Sequence, residues 1–447
     1  MIRCYLGPKR PFHSFISQSL FHYRRLPYFP QPLIRTIATA PCSPPRKFPT
    51  SGFVTLDATK KIEEEDLASY TPEDYYPVYI GEVFGSRYQV VGKLGFGVNS
   101  TVWLCSDLRE HRFLTLKLRV RTKEHDHVNP HIDQEITIYE YLKSHPIEHP
   151  GRNRVRYVLD SFKIAGPNGI HKCMLYQPLG MNFTEFLRLL PQNRFPKELT
   201  QKSVQLILIA LDYLHHCDVV HTDISPNNVL QGIEDDSILS EIEQGEIEQP
   251  IARKVLSDRT IYNSRPMPFS TGQPVLCDLG DARAGTQKHR GDIMPGIYRA
   301  PEVILGMDWD SKVDIWAIGV MTWDLLEGSH LFFAKKNRVL DDEQHLAEMV
   351  SLLGPPPPEF LKRSDKCCQY WDSQGNWKGT LPIPEQSFET REQWLDGEDR
   401  ALFVKFLRRM LCWMPEERSV AEELAFDEFL MQPYAAAVLE ASTETVT

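Results

Sequence analysis

No apolar run in the 447 residues comes near the roughly 20 residues that span a bilayer, so no membrane helix is expected. Cysteine is sparse and badly placed for cross-linking. The nine residues are odd in number and scattered, only Cys367 and Cys368 are adjacent, and no C-x-x-C pair occurs. That pattern excludes a disulfide framework or a zinc ribbon and implies reduced thiols inside a cell. Acid is missing from residues 1–56, which hold eight basic side chains (Arg3, Lys9, Arg10, Arg24, Arg25, Arg35, Arg46, Lys47) and no Asp or Glu. The rest of the chain then carries 42 basic against 60 acidic residues, a net of −18. An acidic body without an aromatic-basic stripe excludes general nucleic-acid binding. It suits a basic protein partner, and it also suits the plainer need for solubility. Residues 1–56 share the Arg-rich, acid-free composition of a mitochondrial transit peptide. Pro8, Pro11, Pro27, Pro30 and Pro32 would break a long amphipathic helix there, so a Pro-rich basic tail is the other reading. Residues 57–79 read as a charged linker, and the length leaves room beyond it for a two-lobed domain with a real core.

The stretch around which the rest is organised is Val220-His221-Thr222-Asp223-Ile224-Ser225-Pro226-Asn227-Asn228. It follows an apolar segment, Leu206 to His215, that reads as a buried helix. A carboxylate and a carboxamide five residues apart on a tight loop suit phosphoryl transfer. Asp223 can accept the proton of an attacking hydroxyl, and Asn228 can hold a metal ion. Taken alone, the motif also fits a polar turn after a core helix.

Its partners lie on both sides. Tyr88 to Leu94 alternates like a strand, and Leu94-Gly95-Phe96-Gly97-Val98-Asn99-Ser100 followed by Val102 makes a flexible hairpin whose backbone can close over phosphate oxygens. Val102 stands where it would cover a purine ring. Phe113 to Leu118 reads as a strand with Lys117 among apolar neighbours, either snorkelling from an edge or holding α- and β-phosphates. The helix from Ile132 to Leu142 offers Glu135 as its partner, with Asp133 and Glu140 solvated. Cys173 to Gly180 reads as a strand entering a hinge; the Gln177 carbonyl and the Leu179 N–H would meet adenine, since Pro178 has no N–H. Residues 233–272 read as a surface insertion, a loop excursion of about forty residues. Val275 to Gly280 is a short buried strand ending in Asp278, a second metal ligand. Asp314 to Trp323 is apolar nearly all round and should be a central helix. Pro355 to Pro358 is a rigid break, and Arg418 either pairs with Glu302 or is a surface charge.

Together these residues resemble the eukaryotic protein kinase fold over roughly residues 80–433. The motifs are G-x-G-x-x-S-x-V, Lys117, Glu135, H-x-D-x-x-x-x-N, D-L-G, A-P-E, D-x-W-x-x-G and Arg418. Tyr75-Tyr76-Pro77-Val78, Gly97 to Leu104, Ala210 to His215, His221-Thr222-Asp223-Ile224 and Asp341 to Ala347 make the resemblance closest to the SR-protein kinase (SRPK) group of the CMGC kinases. The expected class is α+β: a small antiparallel-sheet lobe with one helix (80–180), a larger helical lobe (181–433) and a tail from 434. The resemblance implies a monomeric Ser/Thr protein kinase using ATP and Mg²⁺ on a protein substrate of Arg/Ser-rich type, in cytoplasm and nucleus. The rival function is a pseudokinase scaffold, and the rival compartment is the mitochondrion. Arg299, Glu302, Asp314 and Arg418 would be structural, with Arg299 bracing the activation segment.

Four positions depart from the family pattern. Ser225 replaces the catalytic-loop Lys, removing a cation beside the transferring phosphate. Thr115 replaces Ala and narrows the adenine pocket. Ser100 stands for the third Gly, a change the group shares. Lys335, Lys336 and Arg338 lie where the group places acid to dock Arg-rich substrates, leaving Asp341, Asp342 and Glu343. Recognition of long Arg-Ser tracts is therefore expected to have drifted. Thr222 stands where many kinases have an Arg that receives an activating phosphate, so the segment from Asp278 to Glu302, whose only hydroxyls are Thr286 and Tyr298, is expected to be ordered without phosphorylation.

Overall fold

The computed structural model describes residues 43–121, 130–294, 296–336 and 339–434, the side chains of 130–133 and 336 excepted. Residues 1–42 of the stretch 1–56 read as a basic tail or transit peptide, the tail beyond 434, and the charges of Asp133, Lys336 and Arg338 lie outside the described residues.

Alternation of apolar side chains builds an antiparallel six-stranded sheet in the order β1-β2-β3-β4-β6-β5. Its strands are β1 (Val83–Phe84), β2 (Tyr88–Gly97), β3 (Ser100–Asp107), β4 (Arg112–Arg119), β5 (Val158–Gly166) and β6 (Gly169–Tyr176). The period of two sorts the side chains by face. Trp103, Cys105, Leu114, Leu116, Leu118, Cys173 and Leu175 form one buried cluster. Thr115, Lys117, Met174 and Tyr176 belong to the opposite face, where Met174 and Tyr176 meet Ile136 and Tyr139 of the Pro130–Ser144 helix. Ile138 and Leu142 of that helix enter the large core of the second lobe. This core is centred on the helices Lys197–His216 and Lys312–Glu327, and in the latter every residue from Val313 to Glu327 is buried. The hydrophobicity on all sides of that helix is thus explained by contact on all sides. Among the described residues no helix is long and apolar enough to cross a membrane.

Two stretches differ from expectation. The insertion is no loop excursion: it folds into the helix Ser237–Glu248 and a hairpin of Arg253–Val255 with Thr260–Tyr262. Leu239 and Ile242 of the helix pack on Val91 and Leu104, while Tyr262 of the hairpin packs edge-on against Trp103, 5.8 Å between ring centroids. Trp103 and Leu104 point to opposite faces, so the insertion grips both sides of the sheet. The supposed linker is equally committed. Glu64 is buried on Lys93, whose Nζ also donates to the Tyr262 carbonyl at 3.1 Å, and Glu65 accepts from Lys254 at 2.8 Å. Further upstream, Thr55 bridges to Arg253, and Arg46 and Gln89 exchange two hydrogen bonds of 2.8 Å. Acidic residues that look solvent-bound in sequence are here the buried counter-charges of basic residues far away along the chain.

Glu246 carries most at this junction. It is 1% exposed and accepts from Arg253 at 2.8 Å and Arg265 at 2.6 Å. Truncating one partner of a buried ion pair leaves the other charge uncompensated, a loss of about 3–5 kcal/mol. Glu246→Ala should therefore lower the unfolding free energy of the sheet lobe by an amount in that range, read from a denaturant titration followed by tryptophan fluorescence.

Candidate functional site

The loop His221–Asn228 is placed from below. The carboxylate of Asp314, 1% exposed, accepts the backbone N–H groups of His221 and Thr222, each at 2.8 Å, and lies 2.9 Å from His215 Nε2. Thr222 sits at φ 69°, a left-handed conformation that the two amide bonds hold in place. His221 Nδ1 accepts from the Asp223 N–H at 3.2 Å, so its Nε2–H faces the Cys277 carbonyl at 3.0 Å. The loop closes in a 3₁₀ turn, Pro226–Asn228, and runs into Val229–Gln231, which pairs antiparallel with Pro274–Leu276. That hairpin brings Asp278 beside Asn228; the Cys277 N–H donates to the Asn228 carbonyl at 2.8 Å.

Above it, Lys117 stands between Val102 on β3 and Met174 on β6. Its Nζ is 3.1 Å from Glu135 Oε2 and 3.3 Å from Asp278 Oδ1, which settles the snorkelling alternative: the amine points into the cleft between the lobes. Burial opposes the charge on Lys117, but Asp278 and Glu135 outweigh it and hold its pKa above the ordinary value. Lys117 in turn holds Asp278 below the usual carboxylate range. Burial pushes Asp223 up to about 6, against the Asn228 amide, which donates to its Oδ2 at 2.6 Å. Glu140 is exposed, as expected of a solvated residue.

The glycine hairpin ends in the pair Gly97–Ser100 around Val98 and Asn99. A Cβ at Gly95 or Gly97 would meet no protein atom within 4 Å, so packing does not require these glycines and the space beneath the hairpin is open to a ligand. Leu94 is half-buried, while Phe96 and Val98 are exposed. The hairpin tip is tied by a residue that sequence reading left unassigned within its signature: Tyr75 is buried and its hydroxyl reaches the carbonyls of Val98 at 2.9 Å and Gly97 at 3.1 Å. At the hinge, Leu179 is buried, and the Gln177 carbonyl accepts from Arg156 Nη2 at 2.9 Å. Thr115 pairs with Tyr176 across the sheet and buries a hydroxyl that has no partner among the described residues. Asn228 and Asp278 supply hard oxygen donors of the kind a divalent cation takes, and Asp278 keeps 44% of its side chain exposed toward the cleft.

A second group of metal-capable side chains, His149, Asp212 and His216, is closed on itself. His149 Nδ1 accepts from the Gly151 N–H at 3.0 Å, which leaves its Nε2–H for Asp212 at 3.0 Å, and His216 Nδ1 donates to the Asp212 carbonyl at 2.9 Å.

A family model described as the protein kinase domain matches residues 88–430. A serine/threonine protein kinase of Aspergillus fumigatus is 44% identical, the match covering 89% of this chain and 98% of the relative. The kinase named SRPK from Physarum polycephalum is 32% identical, with 84% and 92% covered, and SRSF protein kinase 3 of Mus musculus is 37% identical, with 81% and 89% covered. A crystal structure of a kinase domain aligns with a TM-score of 0.61 at 22% identity, covering 80% of this chain and 99% of that one, which speaks for the fold. The chain belongs to the protein kinase domain family. Within it, this is an SRPK-like Ser/Thr protein kinase, a transferase of the ATP- and metal-dependent class, and nothing in the assembled cleft favours a silent scaffold.

The activation segment is stitched down along its length. Thr222 Oγ1 donates to the Asp281 carbonyl at 2.8 Å, and Gln134 donates to that of Ala282 at 2.8 Å. His289 and Trp309 exchange two backbone bonds, of 2.8 and 2.9 Å. Tyr298 is buried and donates to Asp324 at 2.7 Å, so its hydroxyl is not free to be modified. Arg299 donates to the Gly296 carbonyl at 3.3 Å and to Asp342 at 2.6 Å. Glu302 and Arg418, both buried, form a two-pronged pair of 2.6 and 2.8 Å that fastens the end of the segment to the C-terminal helices. With these bonds in place, phosphatase treatment that leaves Thr286 bare by mass spectrometry should change turnover by less than twofold. A tenfold loss, about 1.4 kcal/mol in the barrier, would mean that a phosphate orders the segment.

Proposed function

We propose that the protein transfers the γ-phosphate of Mg-ATP to Ser or Thr hydroxyls of protein substrates. The observation that carries this reading is the convergence of Lys117, Glu135 and Asp278 at 3.1 and 3.3 Å, with Asp223 and Asn228 on the facing loop. Lys117 would bind ATP phosphates and Glu135 would keep its ammonium group aimed. The glycine hairpin from Leu94 to Ser100, with Val102, Thr115, Gln177 and Leu179, would enclose the nucleotide. Asp223 would orient the substrate hydroxyl and accept its proton. Asn228 and Asp278 would hold Mg²⁺, which when bound offsets phosphate charge. Ser225 supplies no cation here, so electrostatic support of the transferring phosphate falls to Lys117 and the metal site. Lys117→Met should lower turnover at least ~10²-fold, the scale of one lost transition-state charge contact. Peptide phosphorylation under saturating Mg-ATP measures it, and unchanged turnover in folded Lys117→Met protein would remove the assignment.

For the substrate we propose drift away from long Arg-Ser tracts, the substrate type implied by resemblance to SR-protein kinases. The supporting observation is the state of the remaining acid near Lys335. Asp341 caps its helix by accepting the Gln344 N–H at 2.8 Å, and Asp342 takes Arg299. Glu343 accepts from the Thr380 hydroxyl at 3.0 Å and the Leu381 N–H at 3.0 Å. Glu348 accepts the Phe333 and Ala334 N–H groups, at 2.8 and 3.1 Å. Each of these carboxylates already serves a partner inside the protein, while Lys335 is exposed. Asp341→Ala should then leave the affinity for an Arg-Ser peptide and its salt dependence unchanged. Tighter binding at low salt that Asp341→Ala weakens would restore the Arg-rich substrate.

A further inference from the structure

Glu135 has two carboxylate oxygens, and only Oε2 faces Lys117. Its Oε1 accepts a hydrogen bond from the Tyr176 hydroxyl at 2.6 Å, an O–H···O⁻ contact in the short, strong range, and both side chains are buried. Burial and the neighbouring Glu135 keep the phenol well above its ordinary pKa, so it stays a donor. Tyr176 is itself held. It is the last residue of β6, paired with Thr115 on β4 and with Val158 on β5. The guanidinium of Arg156 lies over its ring, 4.8 Å from the centroid, and donates to the next carbonyl, that of Gln177, at 2.9 Å. One continuous chain of contacts therefore runs from the hinge to Asp278 through Arg156, Tyr176, Glu135 and Lys117.

The bland account of Tyr176 is packing, since it lies with Val158 and Met174 against Ile136 and Tyr139. Packing calls for the ring and leaves the hydroxyl unexplained. The hydroxyl finds the one carboxylate oxygen that the lysine leaves over. A buried carboxylate with one oxygen unpaired could rotate, and Lys117 would then be drawn toward Asp278 alone. We infer that the Tyr176 hydroxyl is a positioning group that locks the Glu135 carboxylate and, through it, aims Lys117 for phosphoryl transfer. The lock is built into the sheet and ties the Lys117–Glu135 pair to the end of β6. The inference rests on the proposed roles of Lys117 and Glu135.

The test is a double-mutant cycle of Tyr176→Phe and Glu135→Ala, with kcat and the KM for ATP measured well below the thermal midpoint of each variant. Tyr176→Phe keeps the ring and removes only the hydroxyl. Its kcat should fall about tenfold, the effect of losing a hydrogen bond to a charged group. The KM for peptide, which a positioning role toward ATP does not touch, should stay within twofold. In the Glu135→Ala background the same substitution should change kcat by less than twofold, because its acceptor is gone. Wild-type kcat in folded Tyr176→Phe protein, or a second tenfold loss in the Glu135→Ala background, would overturn the lock. Wild-type turnover in Glu135→Ala itself would instead remove the role of Glu135, and the lock with it. That result is distinct from one in which Glu135 matters and the Tyr176 hydroxyl does not.

Discussion

A single buried carboxylate determines where the chemistry can happen. Asp314 accepts the amides of His221 and Thr222 at 2.8 Å each and stands 2.9 Å from His215, so it joins three segments: the end of one core helix, the catalytic loop and the central helix. Those amides have no water to turn to, and an unpaired buried donor costs about 1–3 kcal/mol. The loop therefore takes the one path that satisfies them, including the left-handed turn at Thr222. From there the order propagates. His221 reaches Cys277, Thr222 reaches Asp281, and Asp278 arrives beside Asn228. The segment after Asp278 is held from the same loop that carries Asp223, through the bond from Thr222 to Asp281.

The upper lobe follows a second constraint. A six-stranded sheet with one helix leaves apolar side chains on both faces, and a short sheet cannot cover them alone. The insertion and the segment before residue 80 do so, with Tyr262 against Trp103 on one face and Leu239 with Ile242 against Val91 and Leu104 on the other. Their charges are arranged to be buried in pairs: Glu64 with Lys93, Glu65 with Lys254, and Glu246 with Arg253 and Arg265. Because the insertion leaves the lower lobe at Gly232 and docks on the upper one, it links the two lobes. Part of the acidity that looks like solubility in the composition is internal electrostatics.

Legibility differed by the range of the interaction. Lys117, Glu135, Asp223, Asn228 and Asp278 each stand in a local pattern of spacing, strand or turn that the chain carries within ten or so residues, and the resemblance orders them. Arg299, Glu302, Asp314 and Arg418 were named as structural through the resemblance, while the residues alone left Arg418 open between Glu302, 116 positions away, and solvent. Tyr75 and Tyr176 were not: nothing adjacent in sequence says that one hydroxyl reaches the hairpin carbonyls or that the other meets Glu135, 41 residues away. Nor does a run of Glu residues say whether water or a distant Arg will neutralise it, so residues 57–79 and 233–272 read as linker and loop.

By itself the sequence determined the class of fold, the five groups of the cleft and the absence of a cation at Ser225, because each depends on which side chain stands at a given step of a strand, helix or loop. Only the tertiary structure decided that Asp341, Asp342, Glu343 and Glu348 are spoken for, that Tyr298 is buried, that the insertion is a brace, and that Tyr176 completes Glu135. Those outcomes turn on which groups become neighbours when chain-distant elements exclude water. A carboxylate, a hydroxyl or a phenol has the same letter whether it faces solvent or a buried partner.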